Sequence, residues 1–179
     1  MHIVETEIKG IVIIEPTVFS DERGYFFESF SQKEFEQKVS KTVFVQDNES
    51  RSRYGVVRGL HFQRPPYEQA KLVRVVKGKV LDVVVDIRKE SPTYGQHVAT
   101  ELSEDNKRSL FIPRGFAHGY ATLSEEAVFQ YKCDHYYMPD YEGAILWNDP
   151  KLGIDWLLSP EDIILSEKDR SNPLFSVKS

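Results

Sequence analysis

The sequence predicts an all-β protein, an antiparallel sandwich or barrel with a few short helices. Apolar and polar residues alternate over many short segments, which is the period of a β-strand. Residues typical of turns separate these segments at close intervals, and no long helical pattern lies between them. Because a parallel sheet needs such helices as crossovers, the antiparallel class is favoured.

The strand pattern is clearest in residues 80–88. Every odd position of this segment is apolar, whereas the even positions include Asp82 and Asp86. The alternation predicts a strand with one buried face. Lys77-Gly78-Lys79 predicts a hairpin turn between this strand and another at 71–76. Further strands are predicted at 11–15, 25–30, 43–48, 56–62, 98–102, 109–112, 120–123 and 127–133.

Two short helices are predicted. Ser31 followed by Glu34 forms a capping box, which starts a helix that ends near Val39. Ser159 followed by Pro160 marks the start of a second helix, because proline is favoured at the first helical position. No linker, low-complexity segment or repeat divides the chain, so residues 1–179 are expected to form one domain.

Composition and charge exclude several classes of protein. The chain is 40% apolar, and its 28 acidic and 23 basic residues give a net charge of −5, which argues against a disordered chain and a general nucleic-acid-binding protein. Cys133 is the one cysteine, so an intrachain disulfide is excluded and a reducing compartment is expected. Without a signal peptide or a membrane-spanning apolar stretch, the chain is predicted to be cytoplasmic, with neither nucleic acid nor membrane as partner.

Two histidines stand in motifs that suit a functional site. His61 follows Gly55 after five residues, and His118 follows Pro113 and Gly115 in a Pro-x-Gly-x-x-His pattern. Either histidine taken alone is more commonly a hydrogen-bonded core residue. The two patterns in this order resemble the half-motifs of the cupin superfamily, whose members are jelly-roll barrels and commonly bind a metal. The resemblance implies a cupin-like jelly roll.

The same patterns depart from a metal-binding cupin in two places. Gln63 stands where many cupins have a second metal-binding histidine, and the spacing from Glu68 to Gly78 is unusual. A site without metal is therefore predicted. The alternative is a metal-dependent isomerase or dioxygenase that uses His61, Glu68 and His118, since divalent metals accept mixed imidazole and carboxylate ligands.

A longer series of motifs runs through the chain in a fixed order. They are RGLHFQ at 58–63, QAKLVRV at 69–75, DVVVDIR at 82–88, SPTYG at 91–95, IPRGFAHG at 112–119, YK at 131–132, YY at 136–137, ILWNDP at 145–150 and LSEKD at 165–169. From about residue 10 to residue 173, this series resembles the dTDP-4-dehydrorhamnose 3,5-epimerase family.

The resemblance implies a cofactor-free sugar-nucleotide epimerase, usually a homodimer. Such enzymes invert C3 and C5 of dTDP-4-dehydro-6-deoxyglucose on the pathway to dTDP-L-rhamnose. By matching motif, His61 corresponds to the general base, Asp169 to its carboxylate partner and Tyr131 to the general acid. Tyr137 is a candidate ring for stacking on the base of the nucleotide. The implied substrate-contacting positions are Arg23, Glu28, Gln46, Asn48, Arg58, Lys71, His118, Glu142 and Lys168.

The chemistry of such a reaction suits these residue types. The C4 ketone acidifies the protons on C3 and C5, and an imidazole is a suitable base near neutral pH. The enolate needs positive charge at O4, for which Lys71 is the candidate. Inversion needs a proton donor on the opposite face of the sugar, and Tyr131 is the candidate. No metal or nicotinamide is needed, and the chain has no dinucleotide-binding glycine motif.

Two alternatives to a double epimerase stay open. Relatives with similar motifs invert C3 or C5 alone, and motif spacing does not separate these activities. A sugar-nucleotide binding protein without catalysis is the non-enzyme alternative, disfavoured because His61, Tyr131 and Asp169 are all present. A homodimer is also predicted from the segment 11–30, whose many apolar and aromatic residues would leave a strand edge open in a single barrel.

Overall fold

The strands and helices of the chain are taken from a computed structural model that describes residues 1–176. In chain order they are β1 (His2–Glu5), β2 (Val12–Glu15), β3 (Phe19–Asp21), β4 (Gly24–Phe26), α1 (Gln32–Lys38), β5 (Gln46–Arg53), β6 (Val57–Gln63), β7 (Lys71–Lys77), β8 (Lys79–Asp86), β9 (His97–Ser103), β10 (Ser109–Ile112), β11 (Phe116–Thr122), β12 (Glu126–Cys133), β13 (Glu142–Ala144) and α2 (Glu167–Arg170).

Two antiparallel sheets face each other. Sheet I has six strands in the order β1-β2-β10-β7-β12-β5, and sheet II has five in the order β13-β6-β11-β8-β9. Strands β3 and β4 form a separate hairpin. The predicted all-β antiparallel class is confirmed, and most predicted strands agree with observed ones to within a few residues. In the described part of the chain, no helix is long and apolar enough to cross a membrane.

The predicted hairpin at Gly78 is wrong. Strand β7 pairs with β10 and β12 in sheet I, whereas β8 pairs with β9 and β11 in sheet II. The chain therefore passes from one sheet to the other at this turn. Gly78 has a φ of +75°, and a Cβ at this position would lie 2.0 Å from the carbonyl oxygen of Glu126. Only glycine permits so close a backbone approach.

Strand β8 is buried on both faces, so the prediction of a single buried face is also wrong. Its apolar odd positions pack under the C-terminal segment, and its even positions point between the sheets. Asp82 and Asp86 are fully buried. Carboxylates tolerate such burial where they are hydrogen-bonded, and Asp86 accepts bonds from Arg88, Ser91 and Thr93.

Other observed elements differ from the predicted ones in extent or type. The predicted strand 25–30 overlaps only with β4, which ends at Phe26, and the strand predicted at 43–48 begins at Gln46 and extends to Arg53. Helix α1 is confirmed, and Ser31 Oγ accepts a hydrogen bond from Glu34 N at 3.4 Å. The second predicted helix is a single 3₁₀ turn at Pro160–Asp162. Strands β1, β3 and β13 and helix α2 were not predicted.

Apolar residues fill three layers. The central layer lies between the sheets, with Val73 and Phe129 of sheet I packing against Val84 and Leu102 of sheet II. Residues 145–175 cover the outer face of sheet II, and α1 covers part of the outer face of sheet I through the buried ring of Phe35. A cleft lies between the two sheets where β5, β7 and β12 face β6 and β11.

Candidate active site

The cleft lies between the two sheets and is lined by residues from both. One part has a volume of about 400 Å³ and includes Arg58, His61 and His118 from sheet II. Lys71 and Tyr131 of sheet I face them. These side chains share the inward face because strand residues two apart point the same way, as Tyr131 does with the core residue Phe129.

A second space of about 360 Å³ adjoins the first. It shares His61, Lys71 and Tyr131 with the first and is bounded on its far side by Gln46, Asn48, Tyr137 and Glu142. The three shared residues therefore stand at the junction of one elongated cleft.

His61 is held by a buried carboxylate. Its Nε2 lies 2.6 Å from Oδ1 of Asp169, whose side chain is 6% exposed. Helix α2 fixes Asp169 through Ser166, whose Oγ accepts a hydrogen bond from Asp169 N at 3.1 Å. Burial alone would raise the pKa of the Asp169 carboxyl, but hydrogen bonds from His61, Ser166 and Asn172 lower it below its usual value. Nε2 is therefore the ring nitrogen that pairs with the carboxylate, and Nδ1 is the ring nitrogen that Asp169 does not engage.

Lys71 and Tyr131 stand together on sheet I. Lys71 Nζ lies 5.9 Å from the centroid of the Tyr131 ring. Burial lowers the pKa of the Lys71 ammonium, and no carboxylate forms an ion pair with it within residues 1–176. Burial also raises the pKa of the Tyr131 phenol, as do the neighbouring Cys133 and Tyr120. A phenol with a raised pKa is protonated at neutral pH and can donate that proton.

His118 belongs to a second imidazole–carboxylate pair. It lies directly opposite His61 in the β11–β6 register, and its Nε2 is 3.0 and 2.9 Å from the two carboxylate oxygens of Asp82. Asp82 is not among the predicted site residues, because the alternation of residues 80–88 places it on a solvent-facing side of β8, whereas it is buried. A charged residue within an otherwise apolar strand is the signal that could have drawn attention to it.

Polar side chains meet at the far mouth of the cleft. Lys168 Nζ lies 2.6 Å from Oε2 of Glu142, and the Tyr137 hydroxyl donates to the same oxygen at 2.9 Å. Burial raises the pKa of the Glu142 carboxyl, but the bonds from Lys168 and Tyr137 bring it below its ordinary value. Gln46 donates to Asn48 Oδ1 at 3.1 Å. These predicted substrate-contacting residues are therefore brought together around one opening.

Arg23 and Glu28 lie outside the cleft. Arg23 sits in the turn between β3 and β4, where its guanidinium pairs with Asp21 at 2.6 Å and its side chain is 85% exposed. Glu28 is exposed just beyond β4. The other predicted site residues line the cleft. Within one chain, Arg23 and Glu28 do not reach it, so their contacts with substrate stay a prediction.

The alternative metal ligands are not assembled either. His61 faces Asp169 and His118 faces Asp82, while Glu68 lines neither part of the cleft. Among the residues that the structure describes, no group of three or more histidine, cysteine, aspartate or glutamate side chains is arranged to hold a metal ion.

Comparison with known proteins places the chain among sugar-nucleotide epimerases. The family described as dTDP-4-dehydrorhamnose 3,5-epimerase matches residues 5–176. A relative of that name from Salmonella typhimurium is 56% identical over 177 residues, which cover 97% of this chain and 95% of the relative. The crystal structure of a dTDP-6-deoxy-D-glucose-3,5-epimerase from Legionella pneumophila, in complex with dTDP-4-keto-L-rhamnose, is 50% identical with a TM-score of 0.93, covering 97% of this chain and 92% of that chain.

A more distant structure has a narrower activity in its name. It is a 3'-monoepimerase from Streptomyces bikiniensis in complex with dTDP-quinovose, 33% identical with a TM-score of 0.87, covering 94% of this chain and 85% of that chain. The shared fold confirms the predicted cupin-like architecture. Given the family match over nearly the whole chain and relatives above 50% identity, the chain belongs to the dTDP-4-dehydrorhamnose 3,5-epimerase family of isomerases.

Proposed function

We propose that the chain epimerises C3 and C5 of dTDP-4-dehydro-6-deoxy-D-glucose to form dTDP-4-dehydro-L-rhamnose, without a cofactor. One observation carries the proposal. His61, with its carboxylate partner Asp169, and Tyr131 stand on opposite sheets of the same cleft. A sugar ring between them would meet a base on one face and a proton donor on the other, which is what inversion of a carbon requires.

Each proton transfer of the reaction can be assigned to a residue of the cleft. His61 Nδ1 removes a proton from the carbon next to the C4 ketone, and the Asp169 carboxylate stabilises the resulting imidazolium. The electron pair of the broken C–H bond moves into an enolate, whose O4 is stabilised by Lys71. The Tyr131 hydroxyl then donates its proton to the opposite face of that carbon. Solvent restores the proton of Tyr131 and takes the one held by His61.

The far half of the cleft suits the nucleotide. The Tyr137 ring is 50% exposed and stands beside Gln46 and Glu142. An exposed aromatic ring offers a face for stacking on a base. In this arrangement the sugar occupies the junction at His61, and the thymine extends toward Tyr137.

Incubation with dTDP-4-dehydro-6-deoxy-D-glucose in deuterated water tests the function. We expect NMR to show deuterium at both C3 and C5 together with inverted product, and dialysis against a chelator should leave the rate unchanged. Loss of activity that is restored by a divalent metal would favour the metal-dependent alternative. Binding of dTDP without any exchange would favour a binding protein.

An epimerase that inverts one carbon is the second candidate. It is favoured by the structural likeness to a 3'-monoepimerase, whose fold this chain shares at 33% identity. The same NMR experiment separates the two, because deuterium and inversion at C3 alone would identify a monoepimerase. The higher identity to relatives named as 3,5-epimerases favours inversion at both carbons.

Asp169→Asn should lower turnover by about 10²-fold without stopping it. The amide keeps the size of the carboxyl but lacks the charge that stabilises the imidazolium of His61. The rate should be measured with saturating substrate, with Asp155→Asn as a control because Asp155 lies outside the cleft. An unchanged rate would show that Asp169 does not support the base.

A homodimer is proposed from the exposed β3–β4 hairpin. Phe19, Tyr25 and Phe26 are 62%, 58% and 70% exposed, an unusual display of aromatic surface. Strand β5 also leaves one edge of sheet I unpaired. We propose that a second copy covers this hairpin and that Arg23 and Glu28, carried on and beside it, reach the cleft of that copy.

Light scattering at micromolar concentration should give twice the mass of the chain. Replacing Phe19 and Phe26 together by Ser should shift the protein to the monomer and raise KM, whereas Leu157→Ser, at an exposed leucine elsewhere, should change neither. A monomeric mass for the unmodified protein would refute the dimer.

A cytoplasmic location, without nucleic acid as partner, is proposed from the single cysteine and the net charge of −5.

A further inference from the structure

Gln63 occupies the place of a metal-binding histidine in cupins, yet the hydrogen bonds that its side chain makes in the described part of the chain go to none of the other predicted site residues, although its backbone pairs with Glu142 of β13. It lies on β6 two residues after His61, and it is 6% exposed. Its position also faces the second part of the cleft. A buried polar side chain beside a catalytic base needs partners, and the identity of those partners indicates its role.

All three partners of Gln63 are backbone groups from two separate segments. Nε2 donates to the carbonyl oxygen of Tyr67 at 2.6 Å and to that of Tyr136 at 3.2 Å. Oε1 accepts from the backbone N–H of Met138 at 2.6 Å. Both amide hydrogens are therefore engaged, so the side chain is committed to holding the chain in place rather than to a ligand.

The segment held in this way is the one that carries Tyr137. Gln63 binds the residue on each side of Tyr137, which fixes the backbone around it. Tyr137 then donates its own backbone N–H to Gln46 and its hydroxyl to Glu142. The hydrogen bonds from Gln63 to the neighbouring backbone therefore help to hold the exposed Tyr137 ring at the far half of the cleft.

We propose that Gln63 is a positioning residue that fixes the Tyr136–Met138 segment and thereby sets the affinity of the site for the nucleotide half of the substrate. The inference rests on the proposed function, because it takes the far half of the cleft as the nucleotide site. Gln63 contributes to binding through Tyr137 and has no part in the proton transfers at His61.

The same contacts explain why histidine does not serve at this position. A neutral imidazole has one donor and one acceptor, whereas the two segments require two donors and one acceptor. Holding the Tyr137 segment therefore requires an amide at residue 63, whereas ligating a metal would require an imidazole. In this chain the residue is a glutamine, and it holds the Tyr137 segment.

Two variants of Gln63 test the proposal. Gln63→Glu keeps the size and the acceptor for Met138 but places carboxylate oxygens against the carbonyls of Tyr67 and Tyr136. Gln63→Met removes all three bonds. For both variants we expect the Kd of dTDP, measured by calorimetry, to rise about tenfold, and the KM of the sugar nucleotide to rise by the same factor. This is the size expected when the stacking of an aromatic ring on the base is weakened. The kcat should stay within about threefold of the unmodified enzyme.

Gln130→Met is the matched control. Gln130 also makes a side-chain hydrogen bond, to Glu49 at 2.7 Å, but it lies on the outer side of sheet I. This variant should keep both the Kd of dTDP and the KM. A fall in kcat with unchanged Kd in the Gln63 variants would show that Gln63 acts on the base instead, and would overturn the proposal.

A double-mutant cycle with Tyr137→Ala shows whether Gln63 acts through that ring. In the Tyr137→Ala background, Gln63→Glu should raise the Kd of dTDP by less than about twofold, because the ring it positions is gone. Additive effects would contradict the proposal. Failure of both Gln63 variants to fold would also contradict it, by showing that Gln63 supports the whole fold rather than one segment.

These outcomes are separable from those for the proposed function. If the unmodified protein binds dTDP but does not epimerise the sugar, the proposed function is wrong and the dTDP affinities of the variants still decide the role of Gln63. If the protein epimerises the sugar and the Gln63 variants bind dTDP normally, the inference about Gln63 alone is wrong.

Discussion

His61→Ala should reduce turnover by at least about 10³-fold while the protein remains folded. The substitution removes the imidazole that takes the proton from the sugar, and we expect no replacement by His118, because the side chain of His118 is buried, at 8% exposed. The His61 side chain is 32% exposed, so its removal leaves no large internal cavity. Exchange of substrate hydrogen for deuterium should be lost together with inversion.

The measurements are the rate of product formation, deuterium incorporation by NMR and the thermal midpoint of unfolding. His2→Ala is the control, since His2 also pairs with a carboxylate, Glu15 at 3.2 Å, but lies on β1 away from the cleft. It should keep the full rate. Turnover near the unmodified rate in His61→Ala would mean that another group is the base.

Tyr131→Phe should separate the two halves of the reaction. Without the hydroxyl, His61 and Lys71 can still form the enolate, so hydrogen still leaves the reactive carbon. Delivery of a proton to the opposite face should fail, because the donor on sheet I is absent. We expect inversion to fall by about 10²-fold or more, whereas deuterium exchange persists from the His61 side and exceeds that of His61→Ala.

Tyr54→Phe is the control for this variant, because Tyr54 is exposed and its hydroxyl bonds to Asp162 outside the cleft. It should invert the sugar at the full rate. Should Tyr131→Phe do the same, Tyr131 is a packing residue and water or another group is the acid. Loss of exchange to the level of His61→Ala would instead show that Tyr131 is needed to form the enolate.

Local features of the chain were predictable because they depend on near neighbours in sequence. Alternation over residues 80–88 identified the strand β8 at Lys79–Asp86, and the Ser31 capping box identified α1. The motif resemblance identified the family and named His61, Tyr131 and Asp169, whose proximity in the structure is consistent with the roles that the resemblance implies.

Features that depend on the other sheet were mispredicted. Alternation in β8 predicts one exposed face, but residues 145–175 cover one side of the strand and sheet I covers the other. Asp82 was therefore overlooked as the partner of His118. The turn at Gly78 looked like a hairpin, because nothing local shows that the strands on its two sides join different sheets.

Most strand segments, the family and the candidate acid and base could be predicted from the order of residues in the chain. The packing of the two sheets places His61 on sheet II and Tyr131 and Lys71 on sheet I, facing one another across the cleft. The tertiary structure also decided that Gln63 holds the Tyr137 segment rather than a ligand. The physical reason is the range of the interactions: alternation reflects burial of one strand at a time, whereas sheet order and the pairing of His61 with Asp169 join residues far apart in the chain.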